Sequence, residues 1–464
     1  MRRSAVRSIA VACVGLAVVA TSGQAQGFGV YEHDGCAMGR AGTGVAAPCD
    51  NATAMFFNPA GLVNPNAPTR WMLSAGATII APVFTYRDSV RGTDLEGEAN
   101  KIPVPNLYLA RQLNPRWAVG LGVFAPYGLV SEWPETFEGR FLGYRSDLKT
   151  IYIQPTVAYR LSNRVALGLG VDYIRSIVDL KQRVDLSSQA AAPGVTFASL
   201  GIPAETDFAD ANVHGKSWSA TLHFGGLFKL HNRVDFGVRY LMRSLADVRG
   251  EADFTQVGTG ITLAAGNPLG RPAGTPLDSV VAPQFTATGA LRSGQIATAR
   301  IDLPDQLVAG IAVRPMDKLQ LLADIQWVHW RQFREIPLAF AFAGTRTLVE
   351  DYDDTFGYRF GAEYTVSPSL MLRGGWLYHE AAAPDQTVTP LLPEAERSEI
   401  TLGASFNLRS HMKVHLAFQH IWQADRRGRV VEPVGVRGPA AASLNTGLYG
   451  GSANLFGASL AWWF

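Results

Sequence analysis

The stretch that decides the fold is Gly451-Ser452-Ala453-Asn454-Leu455-Phe456-Gly457-Ala458-Ser459-Leu460-Ala461-Trp462-Trp463-Phe464. Side chains two apart in a strand point the same way, so Phe456, Ala458, Leu460, Trp462 and Phe464 share one face. The same alternation recurs upstream. Val165, Leu167, Leu169, Val171 and Tyr173 oppose Ala166, Gly168, Gly170 and Asp172, and Phe356, Tyr358, Phe360, Ala362 and Tyr364 oppose Gly357, Arg359, Gly361 and Glu363. One face is apolar and the other carries small or charged residues. A soluble sandwich would alternate too, but its outer faces would be rich in charge.

Composition separates these cases. Only 17% of the 464 residues are charged, below the roughly 25% of soluble globular proteins. Mean hydropathy is only +0.06, and no uncharged apolar run reaches the ~18 residues of a membrane helix. With 47% hydrophobic residues the chain is also no candidate for disorder. A β-structure that faces lipid with its apolar side remains.

Alternating segments number about fourteen, near residues 71–86, 102–113, 116–126, 146–160, 164–178, 212–230, 233–248, 297–313, 318–333, 352–365, 369–378, 397–409, 412–423 and 451–464. Tight turns such as Asn114-Pro115, Ser162-Asn163 and His231-Asn232 alternate with much longer loops. An outer-membrane barrel has that signature, with an even strand count. In lipid only a closed sheet leaves no unpaired edge. Trp71, Trp117, Trp327, Trp376 and Trp462 near strand ends suit an interfacial girdle. The fold expected is an all-β, antiparallel transmembrane barrel, residues 71–464.

Arg2, Arg3 and Arg7 ahead of an apolar stretch from Ile9 to Ala20, with Gly23-Gln24-Ala25 after it, read as a signal peptide over residues 1–25. Its removal takes the formal charge from +2 to −1, because it carries three Arg and no acid. A near-neutral chain gives no electrostatic reason to bind nucleic acid. Residues 26–70 do not alternate and are rich in Gly and Pro, which suggests a plug inside the barrel. Cys36 and Cys49 are an even pair in an exported chain, open to a disulfide or to two buried thiols. No His or acid cluster completes a metal site with them.

Catalytic signals are poor. His411 and His415 lie ~13 Å apart along one strand face, too far to ligate one metal alone. Gly120-Leu121-Gly122 and Gly168-Leu169-Gly170 lack the third glycine of a dinucleotide fingerprint. Neither a catalytic residue, a metal nor a cofactor is expected. An outer-membrane lipid hydrolase and a structural or adhesion barrel stay as alternatives to transport.

Gly27-Phe28, Glu32, Gly39-Arg40-Ala41-Gly42, Asp50-Asn51-Ala52-Thr53 and above all Phe57-Asn58-Pro59-Ala60-Gly61-Leu62 resemble the N-terminal hatch of the outer-membrane long-chain fatty acid transporters, a family that includes toluene and xylene channels. The similarity continues through Leu303-Pro304, Asp324 to Trp327, Trp330 with Phe333, and Leu392-Pro393 with Arg397. The cysteine pair departs from the usual hatch pattern, and the long loops share no motif that names a ligand. The resemblance implies a fourteen-stranded barrel plugged by a hatch, importing hydrophobic molecules passively and releasing them sideways into the bilayer. Lateral exit avoids returning alkyl chain to water, at ~0.8 kcal/mol per CH₂.

Site expectations follow from both readings. Phe56, Phe57, Asn58, Pro59, Ala60 and Gly61 would form a gate, since Pro59 biases Asn58 away from the helical region. Val195, Phe197, Leu200, Ile202, Leu277, Val280 and Phe285 would form exposed apolar capture loops. Arg239, Arg314, Arg359 and Arg373 face the expected interior, where they would pair with acids or meet a fatty-acid carboxylate. Expected partners are a hydrophobic small molecule, outer-membrane lipid and lipopolysaccharide, and the barrel-assembly machinery, whose signal the terminal aromatic strand resembles. The barrel is expected to be a monomer in the outer membrane.

Overall fold

The computed structural model describes residues 28–63, 71–88, 92, 94–98, 100–428 and 447–464. The signal-peptide expectation lies outside them, as do the two ends of the expected plug. Fourteen antiparallel strands close into one barrel. They are β1 Trp71–Arg87, β2 Ile102–Asn114, β3 Trp117–Phe124 continued by Gly128–Glu132, β4 Arg145–Arg160, β5 Val165–Asp185, β6 Asp207–His231 and β7 Val234–Leu241 continued by Ser244–Gln256. The second half comprises β8 Gln295–Leu303 with Gln306–Met316, β9 Leu319–Val328 with Glu335–Phe340, β10 Gly344–Val349 with Thr355–Ser367, β11 Leu370–His379, β12 Arg397–Arg409, β13 Met412–Arg427 and β14 Leu448–Trp463. β1 pairs with β14 from Met72↔Trp463 to Arg87↔Leu448, which seals the cylinder.

Alternation sets inside and outside. Leu107, Leu402 and Phe456 are 50%, 62% and 55% exposed, whereas Gln154, His223, Gln306 and Gln326 are buried. That inversion of a soluble protein's pattern is what a lipid-facing wall requires. The tight turns are built locally: Asn114 Oδ1 accepts the N–H groups of Arg116 (2.8 Å) and Trp117 (3.0 Å), an Asx turn.

The interior is filled by residues 28–63, almost all buried. They form two short helical turns, Gly35–Met38 and Ala54–Phe57, and a 3₁₀ turn at Pro59–Leu62. Few of their backbone groups pair with one another in regular structure, so the wall supplies partners. Asp324 Oδ2 on β9 accepts Gly44 N–H (2.9 Å) and Val45 N–H (3.2 Å). Thr401 Oγ1 on β12 accepts Ala41 N–H (2.9 Å), and Ser74 Oγ on β1 accepts Ala52 N–H (3.1 Å). Two wall glycines permit this close approach: a Cβ on Gly237 would stand 1.9 Å from Val45 O, and one on Gly168 would stand 2.3 Å from Ala60 N.

One stretch of wall is incomplete. β2 and β3 pair only from Leu107↔Val123 to Asn114↔Trp117. β3 then breaks at Ala125-Pro126-Tyr127, and its outer part, Gly128–Glu132, pairs with β4 alone. Ile102 to Asn106 therefore have β1 on one side and, among the described residues, no strand on the other. Above this gap Glu98 N–H donates to Glu132 O (2.8 Å), closing the rim. Pro103 and Pro105, two residues apart, place their missing N–H groups on one side of β2, as an unpaired edge tolerates.

Candidate functional site

The gap is occupied from inside by the start of the N-terminal segment. Gly29 bridges Tyr127, Val30 N–H donates to Pro126 O (2.8 Å), and Gly128 N–H donates to Phe28 O (3.0 Å). Phe28 packs edge-on against Trp330 (4.9 Å), Phe333 (5.5 Å) and Tyr127 (5.9 Å). Tyr127 is pinned in turn, donating to Pro304 O (2.7 Å) and accepting from Gln306 Nε2 (2.7 Å). Beside the gap lies a cavity of about 140 Å³. Its wall is largely apolar, with Val30, Ile80, Phe84, Leu129 and Leu392, and Arg397 at one side.

The expected gate segment reaches the same place. Phe56 packs on Phe124 (5.3 Å), the last residue before the break in β3, and on His33 (4.2 Å) and Phe57 (5.0 Å). Asn58 is extended, at φ −167° and ψ 106°, as a residue before proline should be. Its Oδ1 accepts Ala60 N–H (3.1 Å), while Nδ2 donates to Val45 O (2.7 Å) and to Gly226 O on β6 (3.0 Å). Asn58 thus ties a local bend to the wall. Phe56, Phe57, Asn58, Pro59 and Ala60 are buried, and Gly61 is half-buried.

Cys36 and Cys49 are joined by a disulfide, with Cα atoms 6.4 Å apart. Next to it Asp34 caps the first helical turn, its Oδ1 accepting Cys36 N–H (3.2 Å). Asp34 also accepts from Asn51 Nδ2 (2.9 Å), Thr53 Oγ1 (3.0 Å) and the Ser459 hydroxyl of β14. Burial alone would raise its carboxyl, but nearby His415 and these donors reverse that and hold it below the ordinary value. His33, buried with Nε2 on Val30 O (3.0 Å), is pushed down to about 3 by burial and stays neutral.

The four arginines fall into two kinds. Arg373 pairs with Glu363 (2.6 Å), and Arg314 pairs with Asp235 at the short-turn end. Both of these arginines thus have an acid partner. Arg239 instead donates to Phe56 O (2.9 Å) and Gln306 Oε1 (2.8 Å). Arg359 donates to Gln326 and lies over the Tyr31 ring (4.3 Å). Among the described residues neither has an acid within 4 Å.

The capture loops differ from expectation. Phe197, Ile202 and Leu277 are buried, and Val280 and Phe285 pack against them in a small core with Leu186, Phe208 and Leu263. Val195 and Leu200 are half-buried. Apolar loop residues gain more by covering one another than by facing water, so the exposed patch is not there. The outer mouth offers instead a cavity of about 720 Å³ between the upper parts of β5 to β7 and of β9 and β10. Phe254, Leu338, Phe340 and Leu348 line it alongside Lys181, Arg183 and Arg346. None of the seven loop residues is in its wall. Sequence reading missed both cavities and the gap; Pro103, Pro105 and Pro126 inside strands were the available signal.

The family model for "Outer membrane protein transport protein (OMPP1/FadL/TodX)" matches residues 16–464. The chain is 24% identical over 417 residues to a long-chain fatty acid transport protein of Salmonella typhi, covering 88% of this chain and 90% of the relative. It is 26% identical over 407 residues to a 47 kDa outer membrane protein of Pasteurella multocida, covering 88% and 89%. Its fold resembles a Pseudomonas aeruginosa FadL homologue, with TM-score 0.77 at 20% identity over 94% of this chain and 99% of that one. The Pseudomonas putida toluene transporter TodX gives a TM-score of 0.66 at 17% identity, again over 94% and 99%.

Proposed function

The chain belongs to the OMPP1/FadL/TodX family of outer-membrane transport proteins, and from that premise we propose that it takes up hydrophobic compounds passively, by a gated lateral route. Long-chain fatty acids and aromatic or aliphatic hydrocarbons are the substrate classes. The observation that carries the reading is the gap between β2 and β3, filled among the described residues by residues 28–30 and bordered by an apolar cavity. A ligand that competes for the packing of Phe28 and Phe56 shifts this segment away from Pro126 and opens the wall to lipid.

In this reading residues 26–70 form the hatch, once the signal peptide 1–25 is removed, and Phe56 to Gly61 connect its bend to the gap. Capture belongs to the outer cavity, whose apolar wall and cationic Lys181, Arg183 and Arg346 suit an amphiphile with a carboxylate head. Arg239 and Arg359, which lack acid partners, are the interior groups able to meet that head as the hatch moves.

Uptake of radiolabelled oleate and toluene by cells with and without the protein tests the reading. Faster uptake of at least one is expected. Equal uptake in both strains, or lipid hydrolysis by the purified barrel, would favour the structural or hydrolytic alternatives.

A further inference from the structure

We propose that the short-turn end of the barrel carries a phosphate-type oxyanion site, in a cavity beneath the N-terminal segment that the transport route does not use. Short turns face the periplasm in outer-membrane barrels. The cavity measures about 540 Å³. Arg160, Lys229, Arg314, Arg373 and Lys413 line it from five different strands, and Arg40 from the N-terminal segment. Its acids, Asp50, Asp235 and Glu363, do not balance them. Asp235 is engaged by Arg314, and the single charge of Glu363 is shared between Arg40 (3.4 Å) and Arg373 (2.6 Å). Among the described residues Lys229 and Lys413 have no acid within 4 Å. Rings of basic side chains at the end of a barrel select anions.

A second observation is independent of this charge excess. Among the described residues Arg40 Nε and His415 Nε2 have no hydrogen-bond partner, although both residues are 2% exposed and both line the cavity. Ser405 Oγ accepts from Arg373 and lies 2.5 Å from His415 Nδ1. An anion at Nε2 selects the tautomer in which the Ser405 hydroxyl donates to Nδ1 and Nε2 carries the ring proton. Two buried polar atoms without partners are costly to leave so. A ligand with several acceptor oxygens and negative charge meets both needs, which a phosphate does.

The phosphate has two possible sources, free inorganic phosphate or the headgroup of an inner-leaflet phospholipid. The test uses the full chain purified in detergent, titrated calorimetrically with inorganic phosphate at constant ionic strength. In parallel, native mass spectrometry scores retention of phosphatidylglycerol against diacylglycerol, which lacks the phosphate. The comparison is K229E/K413E, with heat-modifiable mobility as the check on folding, and K229Q/K413Q where charge reversal prevents folding. Saturable phosphate binding that weakens at least tenfold in the variant identifies the free anion. Selective retention of phosphatidylglycerol, lost in the variant, identifies the lipid headgroup. No binding in either arm, or binding unchanged by the substitutions, overturns the proposal.

Discussion

The seam between β1 and β14 and the junction between β2 and β3 are neighbouring stretches of one wall built to opposite rules. At the seam sixteen consecutive residue pairs run without a register shift from Met72↔Trp463 to Arg87↔Leu448. At the junction the ladder stops at Leu107↔Val123, and the upper wall is completed by Phe28, Gly29 and Val30 from inside. A ladder between two membrane strands opens only by exposing backbone to lipid, which costs several kcal/mol per unsatisfied group. A contact supplied by three residues of an irregular segment is far cheaper to release. The difference teaches that a closed barrel can hold a break in its wall if one strand yields its partner to an irregular piece of chain.

The largest effect is expected from removing the difference itself. Deleting Ala125, Pro126 and Tyr127 brings Gly128–Glu132 alongside Ile102–Asn106 of β2 and covers the gap, although Pro103 and Pro105 donate no ladder bonds there. Ser131 is buried on an odd-numbered face, whereas Ala118 and Phe124 are buried on the even one, so deletion of three residues restores the pleat. Uptake should fall at least about tenfold, equivalent to ~1.4 kcal/mol on the barrier, in a barrel that still shows heat-modifiable mobility. Wild-type uptake by this deletion would remove the lateral route.

Next in size is C36S/C49S. The bridge closes a loop of about fourteen residues, worth ~3 kcal/mol in the chain-entropy model. Amide exchange in residues 36–51 should accelerate while the β1–β14 seam keeps its protection. Mass spectrometry without reductant supplies the control, since two free thiols in fresh wild-type protein would make the substitution uninformative and the bridge absent.

A smaller change is expected from N58A/P59A, which frees the bend and deletes the bonds to Val45 O and Gly226 O. Each hydrogen bond is worth about 0.5–1.5 kcal/mol, enough to shift uptake severalfold in a folded barrel. Unchanged uptake would reduce the bend to a turn leading into β1. The smallest effect belongs to Leu277→Ala. It empties part of the loop core and should cost about 2–5 kcal/mol of local packing, yet leave uptake within about twofold, because Leu277 lies outside the outer cavity wall. A large loss of uptake would return the capture role to these loops.

Periodicity carried the strands because alternation is local: Phe456 to Phe464 read as outward and inward faces with no knowledge of neighbours. The broken junction depends on partners, which the sequence does not name. Ala125-Pro126 read as the end of a strand over residues 116–126, and Pro103 with Pro105 lie inside the expected strand over 102–113. Their meaning appears only once β2 is seen without a neighbour there. The loop residues failed for a different reason: an apolar side chain in a long loop is equally ready to bind ligand or to pack on another loop, and composition does not choose. The four arginines were placed inward by parity, but which had acids waiting depended on contacts across the barrel.

The hydrogen bond from Ser459 to Asp34 joins the final strand to the beginning of the described chain. During biogenesis the interior carboxylate cannot acquire this partner until β14 has arrived, so sealing the wall and settling its contents are one event. A chain stalled before β14 is penalised twice, by an open edge in lipid and by an acid inside that has lost a donor. Quality control that senses only the edge would then also report on whether the lumen has been correctly filled.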